Sequence, residues 1–175
     1  MGKPGVGKTH LAHAIGLSAL KQGKKVLFIH ATELIDKLYA SRADGSYQKL
    51  VLRYMKADLL IIDELGFKNM PQSGADDFFE IIRRRYENGS MIITTNRNFE
   101  DWEQIFGDKV MASAIIDRIV HHAVIVKVKG ESFRVKNLSE LKGMFSDDQH
   151  GAKRNKTRQM EQRVQPHNEE LVEQD

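Results

Sequence analysis

Cysteine is absent from all 175 residues, which excludes disulfides, thiolate metal sites and cysteine nucleophiles and fits a cytoplasmic location. Also missing is any apolar run near the ~20 residues that cross a bilayer, and no secretory apolar segment opens the chain, so a soluble protein with no membrane partner is expected. A strong excess of one charge is lacking too: 27 Lys+Arg stand against 24 Asp+Glu, a formal net charge of +3. That small excess is unevenly placed. Residues 146–175 hold five Lys+Arg and seven Asp+Glu, which leaves 22 and 17 in residues 1–145. The basic part is compatible with nucleic-acid binding, as are many domains that bind none. Residues 146–175 have almost no apolar side chains, and a flexible tail is expected there because too little surface can be buried to order it. With 41% hydrophobic residues, 1–145 suffice for one domain with its own core, whose chemistry must come from carboxylates, lysines, arginines and hydroxyls.

What is present begins at once. Gly2, Lys3, Pro4, Gly5, Val6, Gly7, Lys8 and Thr9 complete the pattern G-x-x-x-x-G-K-[ST]. Its fixed positions arise by chance in on the order of one chain in a hundred of this length. Glycines let backbone N–H groups curl around the α- and β-phosphates of a nucleotide such as ATP, where a Cβ would keep the backbone away. Lys8 is the candidate for the β- and γ-phosphates, Thr9 for Mg²⁺, and the helix that follows, starting near His10, aims its N-terminal dipole at the same charge. The strand that should lead into such a loop is absent from the sequence, so the nucleotide site is expected to be unanchored on that side.

Alternating helix and strand signals predict an α/β fold with a parallel sheet. Helices are expected over residues 9–22, 32–40 (capped by Thr32), 46–56, 73–88, 99–105 and 110–121, and strands over 26–30, 59–62, 91–95 and 124–128. The first helix carries Leu11, Ala12, Ile15, Ala19 and Leu20 at helical spacing. Residues 59–62 are four aliphatics followed by Asp63 and Glu64, at the sheet edge where α/β proteins bind ligands. Asp63 can hold Mg²⁺ through water while Glu64 polarises the water that attacks the γ-phosphate. Asn96 ends the next strand, where it can orient that water or serve as a turn residue.

Six segments then carry a resemblance: Lys8-Thr9-His10-Leu11-Ala12, residues 59–66, Thr94-Thr95-Asn96-Arg97, Phe106-Gly107-Asp108, Asp117-Arg118-Ile119-Val120-His121-His122 and Gly130-Glu131-Ser132-Phe133-Arg134. Their ordered succession over residues 1–145 resembles the IstB-like transposition helper ATPases, close to DnaC-type replicative helicase loaders in the AAA+ initiator clade. The resemblance implies a three-layer αβα P-loop NTPase that binds and hydrolyses ATP with Mg²⁺. It further implies a homo-oligomer on double-stranded DNA that assists a transposase. Loop residues Gly2 to Thr9 and His10 would be the nucleotide contacts, Thr9 and Asp63 the metal ligands, and Lys8 and Glu64 catalytic. Asn96 matches the family's first sensor, Arg118 its trans-acting arginine finger and Arg134 its second sensor. Arg118 can equally pair with Asp117, and Arg134 with Glu131.

Lys49, Arg53 and Lys56 fall at i, i+4 and i+7 on one helix face. Initiator-clade proteins carry a DNA-contacting helical element there, and a solvated face explains the stripe as well. The resemblance also implies a first strand lying between the strand before Asn96 and residues 124–128, so its loss would open the sheet at its centre and expose unpaired edges. Two alternatives stay open: a helicase loader whose partner is a replicative helicase, and an inactive truncated remnant with residual nucleotide or DNA binding.

Overall fold

A computed structural model describes residues 1–135 of the chain; the expected tail at 146–175 lies outside them. The chain divides into two units, Met1–Ser132 and Phe133–Asp175, and only residues 133–135 of the second are described.

The first unit alternates helices and strands. Helix α1 is Lys8–Lys21, strand β1 Val26–His30, α2 Ala31–Ala43, α3 Tyr47–Met55, β2 Leu59–Leu65, α4 Gln72–Arg85 and β3 Ser90–Thr95. A short 3-10 turn at Phe99–Asp101, α5 at Trp102–Phe106 and α6 at Lys109–His121 complete it. The three strands form one parallel sheet in the order β1-β2-β3. Central β2 buries six of its seven residues, which explains its near-continuous aliphatic sequence. On one sheet face Ile29, Leu60 and Ile62 join Leu34, Leu38, Phe78, Ile81, Trp102 and Phe106 in the main core beneath α2 to α6. On the other face Leu59 and Ile61 pack with Ala12 of α1 in a much smaller cluster.

Several expectations need correction. Helix α2 starts one residue earlier than Thr32 and follows β1 without a loop, with His30 in extended geometry as the residue before it. Strand β2 runs three residues further than its aliphatic stretch, carrying Asp63 and Glu64 inside the strand. The apolar stripe of α1 is mostly uncovered: Leu11, Ile15 and Leu20 are exposed, and only Ala12 and Gly16 are buried. Residues 124–128 form no strand: a strand needs a continuous partner, and among the described residues Met1 alone bonds to this segment's backbone from outside it. The Met1 ammonium donates to Val126 O at 2.7 Å, and the Val128 N–H donates to Met1 O at 2.8 Å. The Gly2 N–H donates to Thr95 O at 3.2 Å, so these two residues bridge β3 and the 126–128 segment. Behind that bridge is a cavity of about 680 Å³ lined by Leu11, Ile15, Met91, Ile93, Trp102 and Ile125, among others. Leu11 and Ile15 of the α1 stripe and Met91 and Ile93 of β3 line this opening.

Buried Arg85 ties the main core together. Its Nη1 donates to Tyr54 O at 2.8 Å and Ala57 O at 3.0 Å, and its Nη2 to Ser90 O at 2.7 Å, joining the end of α3 to the start of β3. Burial pulls its pKa down from the ordinary arginine value, and the charge of Asp58 opposes this only in part.

Candidate functional site

The loop at residues 2–9 turns on glycines that cannot be replaced at no cost. Gly5 and Gly7 have φ of 79° and 93°, the left-handed region that disfavours side chains, and a Cβ on Gly5 would lie 2.1 Å from Ser132 Oγ. Gly7 stands directly before α1, where no side chain caps the helix and no acid occupies its first turn. The leading N–H groups and the positive end of the helix dipole are therefore available to an anion. Lys8 crosses the loop, its Nζ donating to Lys3 O at 2.8 Å. Val6 is buried and anchors the loop, whereas Lys3, Pro4 and His10 are exposed on its outside. The nearby Met1 ammonium has its pKa lowered, first by burial and then by the charge of Lys8.

At the end of β2 the sequence-predicted metal pair comes together across 54 positions of chain. Thr9 Oγ1 donates to the Asp63 carboxylate at 3.0 Å from Oδ2 and 3.2 Å from Oδ1. Asp63 is fully buried, and Thr94 of β3 donates its hydroxyl to Oδ1. The same Thr94 hydroxyl accepts from the Glu64 N–H at 3.1 Å. Glu64 holds φ at 60°, unusual for a side-chain-bearing residue. A hydroxyl and one carboxylate at a helix N-terminus is a donor set that suits Mg²⁺, which keeps most of its ligands as water and phosphate. No group of three or more His, Cys, Asp or Glu able to cage a metal occurs among the described residues, so any metal here leans on the phosphates it neutralises.

Thr94 was not singled out by the sequence, where Asn96 drew the attention. In the structure Asn96 follows β3 directly and is exposed, while Thr94, two residues earlier, is buried against the carboxylates. A buried hydroxyl at the end of an apolar strand was the available signal. His30 was missed as well: the parallel register sets it opposite Asp63, with Nδ1 3.7 Å from Asp63 Oδ2 and 3.9 Å from Glu64 Oε2.

The remaining candidates lie apart. Arg118 on α6 is partly buried, its Nη1 donating to Ala114 O at 2.9 Å and its guanidinium sitting 5.0 Å from the Phe79 ring centre. It lines the same cavity as Lys8 and makes neither the Asp117 pair nor a contact with the carboxylates. Arg134 belongs to the second unit. Lys49 and Arg53 on α3 and Lys56 just after its end are all exposed, and α3 buries Val51 and Tyr54. Of the three consecutive arginines on α4, Arg83 and Arg84 pair with Glu80 and Arg85 is the internal clamp. His121 and His122 are both exposed, and His121 Nδ1 lies 2.7 Å from Tyr86 Oη.

A family model described as IstB-like ATP binding protein matches residues 1–141. The ATP-binding protein of insertion sequence IS5376 from Geobacillus stearothermophilus is 42% identical over 144 residues, covering 81% of this chain and 57% of that protein. The corresponding protein of insertion sequence IS21 from Pseudomonas aeruginosa is 43% identical over 136 residues, covering 78% and 51%. The chain thus spans about half the length of the curated relatives it matches. Among solved structures it is similar to the DnaC helicase loader, with a TM-score of 0.63 and 28% identity over 73% of this chain and 75% of that one. AMPPCP-bound DnaA from Aquifex aeolicus shares the fold, with a TM-score of 0.63 at 22% identity over 83% of this chain and 44% of that one.

Proposed function

This chain belongs to the IstB-like ATP-binding protein family, and on that premise we propose that it binds and hydrolyses ATP with Mg²⁺ as a helper for DNA transposition. Its fold is the α/β P-loop fold of AAA+ proteins, shared with DnaC and DnaA. The observation that carries the proposal is the Thr9 hydroxyl on the buried Asp63 carboxylate at the uncapped start of α1. It supports the reading because the two residues proposed as metal ligands, 54 positions apart in the chain, meet there beside the loop proposed to cradle phosphate.

The residues divide the work as follows. Backbone N–H groups of residues 2–9 and the N-terminus of α1 hold the phosphates, and Lys8 leaves Lys3 O to meet the β- and γ-phosphates. Bound Mg²⁺ would neutralise phosphate charge as it develops. Thr9 and Asp63 would fix its position, and the Thr94 hydroxyl keeps the Asp63 carboxylate aimed. Glu64 orients the attacking water and takes its proton, with Asn96 as a second hydrogen-bond partner of that water. Arg118 acts on a neighbouring copy in an oligomer and Arg134 on its own nucleotide, so hydrolysis depends on assembly. Residues 1–145 form the ATPase core and 146–175 a charged tail. Double-stranded DNA is held by phosphate contacts from Lys49, Arg53 and Lys56, and a transposase is the protein partner. The proposed working compartment is the cytoplasm, where DNA and a transposase would be met. Among the described residues no helix is long and apolar enough to cross a membrane.

Phosphate release from ATP tests the proposal. The full chain should release phosphate only with Mg²⁺, and Glu64→Gln should bind ATP and release none. Equal release by both chains would refute the assignment of Glu64. A second reading, a helicase loader, is favoured by the likeness to DnaC and to DnaI at 28% and 27% identity. Co-purification separates the two: a transposase supports the first and a replicative helicase the second.

A further inference from the structure

The turn from α4 into β3 holds the one Asn-Gly pair of the sequence, Asn88-Gly89, and both residues are exposed. The carbon of an asparagine amide is open to attack by the backbone nitrogen of the next residue, and glycine puts no side chain in the way of that nitrogen. The described asparagines differ in what their following nitrogen is doing. After Asn69 the Met70 N–H donates to Ile105 O at 2.7 Å, and after Asn96 the Arg97 N–H donates to Thr95 Oγ1 at 3.0 Å. Asn98 is followed by Phe99, whose side chain shields the nitrogen. The Gly89 N–H has no acceptor among the described residues, so its attack breaks no hydrogen bond of its own.

The rest of the turn holds the pair at the end of α4. Glu87 has φ at 62°, the Asn88 N–H donates to Arg85 O at 3.0 Å, and Asn88 Nδ2 donates to Tyr86 O at 3.1 Å. With no ladder bond on Gly89, the motion that brings its nitrogen to Asn88 Cγ is a local one and leaves β3 paired. The one Asp-Gly pair, Asp44-Gly45, is a useful contrast. Asp44 accepts from the Ser46 N–H at 2.9 Å, and bonding to Ser46 holds its carboxyl below the usual range, so it stays ionised and is a poor electrophile.

We propose that Asn88-Gly89 is a site of spontaneous covalent modification, at which the Gly89 nitrogen closes on the Asn88 side chain and an aspartyl or isoaspartyl link results. Water or hydroxide takes the Gly89 N–H proton, the nitrogen bonds to Asn88 Cγ, and the Cγ–Nδ2 bond breaks as ammonia leaves. One water then opens the five-membered imide. Cleavage between the nitrogen and Cγ gives aspartate with the main chain unchanged. Cleavage between the nitrogen and the main-chain carbonyl carbon gives isoaspartate, whose link to Gly89 runs through Cβ and Cγ. The balance is one water consumed and one ammonia released, with nothing oxidised or reduced.

The two products differ in what they do to the fold. The isoaspartyl link is one carbon longer, and the space beside Gly89 is taken: a Cβ there would lie 2.5 Å from Arg85 Nη2 and 2.8 Å from Arg85 Cζ. Ser90 gives its carbonyl to the same guanidinium at 2.7 Å and pairs with Leu59 at the start of β2. The extra length therefore pushes Gly89 against Arg85 or moves Ser90 out of register, and either loosens the clamp. Aspartate adds only an exposed charge. None of this depends on the ATPase reading.

The test follows the full chain, native and unfolded in urea, during incubation at mildly alkaline pH. Peptide mapping by mass spectrometry reads the exchange of amide for acid, and enzymatic methylation of isoaspartate reads the longer link. The native chain should convert at Asn88 ahead of Asn69 and Asn96, faster as the pH rises, and should become a methyl acceptor. Asn88→Gln, which would have to close a larger ring, should convert at least roughly tenfold more slowly. The urea midpoint of the isoaspartyl fraction should fall by roughly 0.5 M or more, the loss of a buried hydrogen bond at an ordinary m value, while Asn88→Asp unfolds with the parent. Conversion of the unfolded chain with none in the native one overturns the proposal, because the fold then protects the pair. Conversion at Asn69 or Asn96 as fast as at Asn88 overturns the part given to the unbonded nitrogen. An isoaspartyl fraction as stable as the parent overturns the strain on Arg85.

Discussion

Replacing Thr94 by valine removes one hydroxyl that serves both carboxylate-bearing residues while leaving the volume nearly unchanged. The hydroxyl donates to buried Asp63 Oδ1 and accepts from the Glu64 N–H at 3.1 Å. A hydrogen bond to a charged group is worth about 1.5–3 kcal/mol, and a buried N–H left without an acceptor costs about 1–3 kcal/mol, of which the part-buried Glu64 N–H takes the low end. Thr9 still supplies Asp63 with a donor, so the two losses overlap in part and a destabilisation of about 2–4 kcal/mol is expected. With a urea m value of about 1–3 kcal/mol/M, the unfolding midpoint should fall by roughly 1–2 M. Thr94→Ser is the control that separates the hydroxyl from the methyl group: it keeps both hydrogen bonds and should lose only about 1 kcal/mol. Urea unfolding followed by circular dichroism gives both midpoints. A valine variant as stable as the serine variant would refute the reasoning, because packing and not the hydroxyl would then be what Thr94 contributes.

Three other perturbations follow from the same geometry. Arg85→Met should cost about 3 kcal/mol or more in unfolding free energy, because the Tyr54, Ala57 and Ser90 carbonyls lose a buried donor; a thermal midpoint within a degree or two of the parent would refute the clamp. Tyr47 has its pKa pushed up to about 12, first by burial and then by its bond to Asp77. A folded-state pKa raised above the 10.0 of the unfolded chain gives stability that is full below pH 10 and lost as the pH rises towards 12. Tyr47→Phe should therefore lose about 1 kcal/mol at neutral pH and show a shallower fall above pH 10 in urea titrations, and parallel curves would refute it. Changing Lys49, Arg53 and Lys56 together to Glu should lower the salt dependence of DNA binding by about 0.9 per lost phosphate contact and leave ATP binding intact; an unchanged slope would make the stripe a solvated face.

The shape of the loop was legible in the sequence because its pattern is local: Gly5, Gly7, Lys8 and Thr9 are neighbours in the chain, and the glycines turn it into the start of α1. Asp63 and Glu64 were legible for a related reason, since four aliphatics mark β2 and its end marks the binding edge. His30 was not, because its meeting with Asp63 exists only in the strand register between β1 and β2. Thr94 was hidden by Asn96, whose place at the end of a strand is the more obvious signal, although the buried hydroxyl is the one that holds the carboxylate. Helical spacing showed that α1 has an apolar stripe through Leu11 and Ile15. It could not show whether anything covers that stripe, and both side chains face the cavity beside β3. Residues 124–128 have the composition of a strand, yet pairing takes two strands, and Met1 supplies backbone hydrogen bonds at Val126 and Val128 alone.

The central claim is that this loop holds a nucleotide through Lys8 and a metal placed by Thr9 and Asp63. Titration of the full chain and of Lys8→Ala with a fluorescent ATP analogue, with and without Mg²⁺, tests it most directly. The account predicts saturable binding that strengthens with Mg²⁺ and weakens at least tenfold in Lys8→Ala. No binding by either chain, or equal binding by both, would contradict it.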